Sequence, residues 1–253
     1  DLHAAKDGLV AVRVGRLERL NRIDPLEVFT VLAGQVVGRG ELVASVKVAP
    51  HVVPERVVAT AEAIVRTGLP LVRIRPFGGR RVAVVVKESV AGAARERFEA
   101  SIRLRIEGLG AEVAAFRYIA DEPEAATEAL RELTRRGAGI DLVLTAGGAS
   151  TDPADPFFVA LDGLGGRLVR RGVPAHPGSM LWLGRVGRTA VLGLPTCGAY
   201  SKATAADLLI PRLLAGEPPT ARTVARLAHG GVLTRDQRFR FPTYARTLEA
   251  PDG

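Results

Sequence analysis

Apolar positions across residues 79–217 fall into two arrangements, unbroken runs and helical stripes. RVAVVV (81–86), DLVLT (141–145) and TAVLGL (189–194) are continuous apolar runs, the pattern of strands buried on both faces. EVAAFRY (112–118) and GRLVRRGV (166–173) add two more strands, and LWLGRV (181–186) reads as an edge strand. Between the first pair, Phe98, Ile102, Ile106 and Leu109 lie at helical spacing, predicting a helix over 94–107 that Gly108 and Gly110 end. A second stripe, Ala126, Ala129, Leu130 and Leu133, predicts a helix over 123–136, opened by Pro123 and closed by Arg135, Arg136 and Gly137. Asp155 and Pro156 form a cap and first-turn pair for the short helix PFFVALD. A last helix runs from about Ser201 to Gly216, with Pro211 inside it. Strands alternating with amphipathic helices call for parallel strands joined by crossovers, so the expected fold is α/β, a three-layer sandwich with a mainly parallel sheet.

Residues 1–78 have a different texture and predict a small β-rich N-terminal subdomain. GLVAVRV (8–14) and ELVASVKVA (41–49) are Val-rich strands, with Gly38 and Gly40 turning the chain before the second. DPLEVFTVLAG between them predicts a short helix with Asp24 as cap and Pro25 in its first turn. Residues 55–67 predict a helix with Val58, Ala61 and Val65 on one face, and PLVRIRPFGG continues as an extended segment. Residues 218–253 show little periodicity and read either as a strand-rich addition around FRFPTYARTL (239–248) or as a packed tail.

Composition narrows the chemistry. Lys6, Lys47, Lys87 and Lys202 are the lysines, so 31 of the 35 basic residues are arginines, and the formal charge is +8. The arginines are spread along the chain with no long basic arm, so nucleic acid is not an expected partner. Their planar donor forks suit phosphate, although codon bias or a hot environment would give the same excess. Cys197 is the only cysteine, which excludes an internal disulfide, and the four histidines lack metal-ligand spacing. No apolar run is long enough to span a bilayer, and DLHAAKDG is not a secretory signal, so a cytoplasmic location without a membrane partner is expected.

Loops that leave the carboxyl ends of parallel strands converge on one rim, the usual ligand site of such sheets. Three informative stretches follow predicted strands. In TAGGASTDPAD (145–155), Gly147 and Gly148 let backbone amides approach an anion, Ser150 and Thr151 offer hydroxyls, and Asp152 with Asp155 could hold Mg²⁺ against phosphate oxygens. The same residues would equally serve as turn and cap groups. VPAHPGSM (173–180) makes a rigid turn at Pro177–Gly178, with His176 or Ser179 available to a cleft. In GLPTCGAYSKA (193–203), Thr196, Gly198 and Ser201 precede the last helix, where free amides would meet a phosphate, and Lys202 adds positive charge. Lys87 and Glu88 fall at the same rim more weakly, as does Asp121, which equally reads as a helix-start residue before Pro123.

Together these loops resemble the molybdopterin-binding domain shared by molybdopterin adenylyltransferases, molybdopterin molybdenumtransferases and the competence/damage-inducible family. That domain carries TGG-x-S-x-G-x-x-D, matched by Thr145, Gly147, Gly148, Ser150 and Asp155, with Ala146 as an extra position and Asp152 at the later glycine. Its Pro-Gly turn is matched by Pro177–Gly178, and its LPGNP loop begins as Leu194–Pro195 but continues Thr196–Cys197–Gly198. The altered loop is similar to that of a variant branch. The resemblance implies molybdopterin or its adenylated form as ligand, Mg²⁺, and ATP or AMP, in molybdenum-cofactor biosynthesis by adenylyl transfer or molybdate insertion. Carried over, Thr145, Gly147, Gly148 and Ser150 would bind the phosphate or nucleotide part. Pro177, Gly178, Leu194, Pro195, Thr196, Gly198, Ser201 and Lys202 would complete the pocket. Asp155 would be catalytic and, with Asp152, would hold the metal. Other molybdenum-cofactor enzymes and a homo-oligomer are the implied partners. A non-catalytic pterin carrier or sensor, and a nucleotide phosphoanhydride hydrolase, are the alternatives.

Overall fold

A computed structural model describes residues 1–87, 91–147, 151–194 and 202–247. The chain divides into two compact units, Asp1–Pro76 and Phe77–Gly253.

The second unit is built on a six-stranded sheet. Its strands are β7 (Arg81–Val86), β8 (Glu112–Tyr118), β9 (Leu142–Ala146), β10 (Arg167–Arg171), β11 (Trp182–Val186) and β12 (Thr189–Leu194), in the order β10-β11-β12-β9-β7-β8. β12, β9, β7 and β8 run parallel, while β10–β11–β12 form an antiparallel meander at one end. LWLGRV is therefore an inner strand, and the Arg-rich β10 is the edge, where charged side chains discourage pairing with another chain.

Alternation along the strands divides the sheet's side chains between two helical layers. Ala83, Val85, Val143, Val191 and Trp182 form one core with α4 (Pro123–Thr134) and α5 (Pro156–Gly163). The other strand positions, Val82, Val84 and Val86 among them, are equally buried, and α3 (Gly92–Glu107) and α6 (Ala205–Leu214) supply the remaining layer. The result is the expected α/β three-layer sandwich with a mainly parallel sheet. Residues 221–247 carry α7 (Ala221–Ala225), a 3₁₀ segment (Arg235–Arg240) and α8 (Thr243–Thr247), with Phe241, Tyr244 and Ala245 buried. FRFPTYARTL is thus a packed helical tail and contributes no strand within the described residues.

The first unit holds two small antiparallel sheets. β1 (Leu2–His3), β5 (Leu42–Val48) and β3 (Leu26–Thr30) make one, and β4 (Val36–Val37), β2 (Gly8–Val12) and β6 (Val72–Arg75) the other. Ala4, Val10, Val37 and Val43 form its core. The helix expected over DPLEVFTVLAG is instead β3, paired with β5 from Leu26↔Val48 to Thr30↔Ala44. The β-branched and aromatic run Val28–Phe29–Thr30 prefers a pleated strand, and a run this short cannot be assigned from periodicity. A helix the pattern did not suggest, α1 (Val14–Leu20), follows β2 directly. The helix expected over 55–67 is present as α2 (Glu55–Arg66), but none of its residues is buried. No helix among the described residues is long and apolar enough to cross a membrane.

Candidate functional site

The parallel register sets the candidate rim. Val86, Ala146 and Leu194 are level neighbours at the carboxyl ends of β7, β9 and β12, and Tyr118 of β8 is level with Val86. The chain therefore leaves the sheet at Lys87, Gly147 and Ile119 along one edge, and the ladder extends one step further through Lys87 N–H to the Ala146 carbonyl at 3.1 Å.

Thr145 and Leu194 are strand residues, 1% and 5% exposed, so they shape the rim from inside the sheet. Gly147 begins the loop at φ +90°, a conformation that a Cβ would strain. Gly148, Ser150, Pro195, Thr196, Gly198 and Ser201 lie outside the described residues. Pro177–Gly178 reaches the same side of the unit through the start of α6. The Ala205 amide donates to the Pro177 carbonyl at 2.9 Å, and Gly178, at φ +101°, sits so close that a Cβ would come within 2.9 Å of the Ala205 nitrogen.

The start of α6 differs from expectation. It begins at Ala205, and its first amides are already used: Ala205 by Pro177, Ala206 by the Thr204 hydroxyl at 3.2 Å, and Asp207 by the Thr204 carbonyl at 2.9 Å. The Asp207 carboxylate accepts from the Thr204 amide in return, closing a capping box. With its amides bonded within the chain, this terminus is closed to a phosphate. Lys202 is exposed on the approach to α6.

At the other loop, Asp155 is buried. One oxygen caps α5 by accepting from the Phe157 amide at 2.9 Å, and the other lies 3.1 Å from the Lys87 ammonium. Lys87 also donates to Asp121 at 2.7 Å and lies 5.9 Å from the centre of the Phe157 ring. The side chains of Lys87 and Asp155 are 6% and 3% exposed, whereas that of Asp121 is 62% exposed, so the triad opens to solvent through Asp121. Burial alone would push the Lys87 ammonium down, but its bonds to Asp121 and Asp155 outweigh it and raise the group above the ordinary lysine value. Lys87 is therefore a fixed cation between two carboxylates. Asp152 is exposed and accepts from the Ala154 amide at 2.8 Å, a turn role.

Sequence signals for Lys87 and Asp121 are weak because their importance comes from a contact between distant loops. A second buried pair carries no sequence signal at all. Arg105 donates to Asp207 at 3.0 Å and to the Lys202 carbonyl at 3.2 Å, tying α3 to the chain that enters α6. Burial pushes the Asp207 carboxyl up, against the opposing charge of Arg105. Among the described residues, no three His, Cys, Asp or Glu side chains gather as a metal cluster.

Residues 80–215 match the family described as "Probable molybdopterin binding domain". Curated protein sequences give no match. Among solved structures, the chain is similar to the molybdopterin biosynthesis enzyme MoaB from Thermus thermophilus, at 25% identity over 56% of this chain and 99% of that one, with a TM-score of 0.38. It is similar also to the molybdopterin biosynthesis MoeA protein of Pyrococcus horikoshii, at 17% identity over 88% of this chain and 68% of that one, with a TM-score of 0.40. The Mog protein of Mycobacterium ulcerans aligns at 20% identity over 60% of this chain and 96% of that one, with a TM-score of 0.37. The family match spans the whole six-stranded sheet and its four principal helices, and with it the chain belongs to the molybdopterin-binding domain family.

Proposed function

We propose that the carboxyl-end rim of the sheet binds molybdopterin or its adenylated form, and that the chain serves molybdenum-cofactor biosynthesis by holding that pterin. Family membership supports the ligand, and the level ends of β7, β9 and β12 support the place. The loop that starts at Gly147 would receive the phosphate: Gly147 and Gly148 allow close backbone approach, and Ser150 adds a hydroxyl. Pro177, Gly178, Pro195, Thr196, Gly198, Ser201 and Lys202 would line the remainder, over the floor made by Thr145 and Leu194.

The metal role expected of Asp155 does not fit its surroundings. Both oxygens are engaged, one by the α5 amide and one by Lys87, and Mg²⁺ would have to displace a buried ammonium to reach it. Asp152 alone is an exposed turn carboxylate. The Lys87 pairing is the observation that favours pterin binding without turnover over Mg²⁺-dependent adenylyl transfer. In this account Asp155 is a positioning residue, fixing the start of α5 and the Lys87 ammonium together.

Titration of the full chain with molybdopterin under anaerobic conditions, followed by fluorescence, tests the proposal. Saturable binding is expected, with loss of binding in Gly147→Val, because a β-branched residue cannot adopt the φ of +90° found there. Absence of pterin binding in the wild-type chain would end the proposal. Adding ATP and Mg²⁺ to the loaded protein should release no pyrophosphate; release that disappears in Asp155→Asn would establish adenylyl transfer instead.

A further inference from the structure

The opposite end of the sheet carries a second concavity. A cleft of about 680 Å³ opens at the amino ends of β9 and β12, between the β10–β11 pair and the chain from the end of α6 to α7. Its volume lies within the range of roughly 300–1,000 Å³ usual for small-molecule sites.

Its charge is unbalanced. Of the carboxylates on its wall, Asp141 is paired with Arg80 at 2.6 Å and Glu217 with Arg212 at 3.4 Å. Arg80 also covers the Leu214 carbonyl at the end of α6, at 3.2 Å. Arg167, Arg185 and Arg188 line the same cleft and make no ion pair among the described residues. Arg185 donates one bond to the Gly187 carbonyl at 3.2 Å, which leaves the rest of its donor fork available. Arg167 and Arg185 are direct cross-strand partners of β10 and β11, and Arg188 stands in the tight turn that joins β11 to β12. Like charges placed directly opposite one another weaken an antiparallel pair. A register that keeps two guanidinium groups opposed on a cleft wall is relieved when an anion sits between them. The rest of the wall includes Val169, Ala190, Leu213, Pro218 and Pro219, an apolar surface beside the cationic one.

We infer that this cleft is a second ligand site, distinct from the pterin rim, for an organic diphosphate with a flat apolar body. Guanidinium forks match phosphoryl oxygens two at a time, and the cluster of Arg167, Arg185 and Arg188 suits two linked phosphoryl groups. The apolar wall takes the ring. Because the arginines are themselves the cations, binding needs no divalent metal.

Calorimetric titration of the full chain with ADP in EDTA, at about 0.15 M salt so that weak surface attraction is screened, tests the inference. Binding is expected that weakens by about tenfold or more in the Arg167→Gln/Arg185→Gln double variant. A charge-matched double variant on exposed helical faces, Arg97→Gln/Arg131→Gln, is expected to bind ADP as the wild type does. Inorganic pyrophosphate is expected to compete with ADP, and adenosine to bind far more weakly. Thermal melts of the cleft variant without ligand should show an unchanged or higher midpoint, since a repulsive pair has been removed, which separates lost binding from lost folding. Equal weakening in both double variants, undiminished ADP binding in the cleft variant, or no ADP binding by the wild type would each overturn the inference. ADP held at the pterin rim would give the second of these outcomes, so the two sites are told apart.

Discussion

Lys87 concentrates the physics of the candidate rim. It is a buried ammonium between a buried carboxylate and an exposed one, and removing it leaves Asp155 charged with no cation beside it. Loss of one member of a buried pair typically costs about 3–5 kcal/mol, so Lys87→Met should lower the unfolding free energy on that order in urea titration. Asp155→Asn keeps a good cap, since Asn and Asp are equivalent there, and the Lys87→Met/Asp155→Asn double variant should recover most of the loss. The pH dependence has a definite sign. The folded value of Lys87 is raised, so its contribution is complete below the ordinary lysine value and is lost as pH rises through the higher folded one. The stability gap between wild type and Lys87→Met should stay flat from about pH 6 to 9 and close only above about pH 10.5. A gap that closes near neutral pH would contradict the pairing. Asp155 as a cap was legible from Asp-Pro ahead of an apolar run, because capping is local. Its ion pair was not, because it joins loops that only the sheet brings together.

Strands β7, β9 and β12 were legible for a simple reason: a strand buried on both faces has no polar position to interrupt it, and every residue of β9 and β12 is buried. The helices α3 and α4 followed from their stripes in the same way. Boundaries are less legible where caps compete, and α6 starts at Ala205 because Thr204 and Asp207 close a capping box there. The segment 24–34 reads as helix from its Asp-Pro opening, but Asp-Pro also precedes turns, and pairing with β5 decides its state. Packing inside the meander gives a sharp test. Gly193 is the cross-strand partner of Trp182, and a methyl at Gly193 would fall within the indole. Gly193→Ala should therefore cost about 1–3 kcal/mol through overpacking. Because Trp182 is the only tryptophan, its fluorescence should shift in the native state. An unchanged spectrum and urea midpoint would show that the indole lies elsewhere.

For the molecule as a whole, the charge of +8 is organised by the fold in a way that composition does not reveal. At the carboxyl end of the sheet a lysine is fully engaged by carboxylates, whereas at the amino end Arg167 and Arg185 stand opposed across β10 and β11 with no carboxylate paired to either among the described residues. The three-layer sandwich was legible because alternation of strand and crossover leaves few topologies. The amino-end cleft was not, since the cross-strand alignment of Arg167 with Arg185 exists only once the meander has folded. The family was legible only through the loop motifs, as the physics of an anion site does not by itself distinguish one phosphate ester from another. Hydrogen–deuterium exchange of the full chain, with and without molybdopterin, is the deciding measurement for pterin binding at the carboxyl-end rim. Pterin should protect amides of the stretches 145–155 and 176–178, the contacts proposed for it. Protection confined to 185–190 and 216–221, or no protection anywhere, would contradict it.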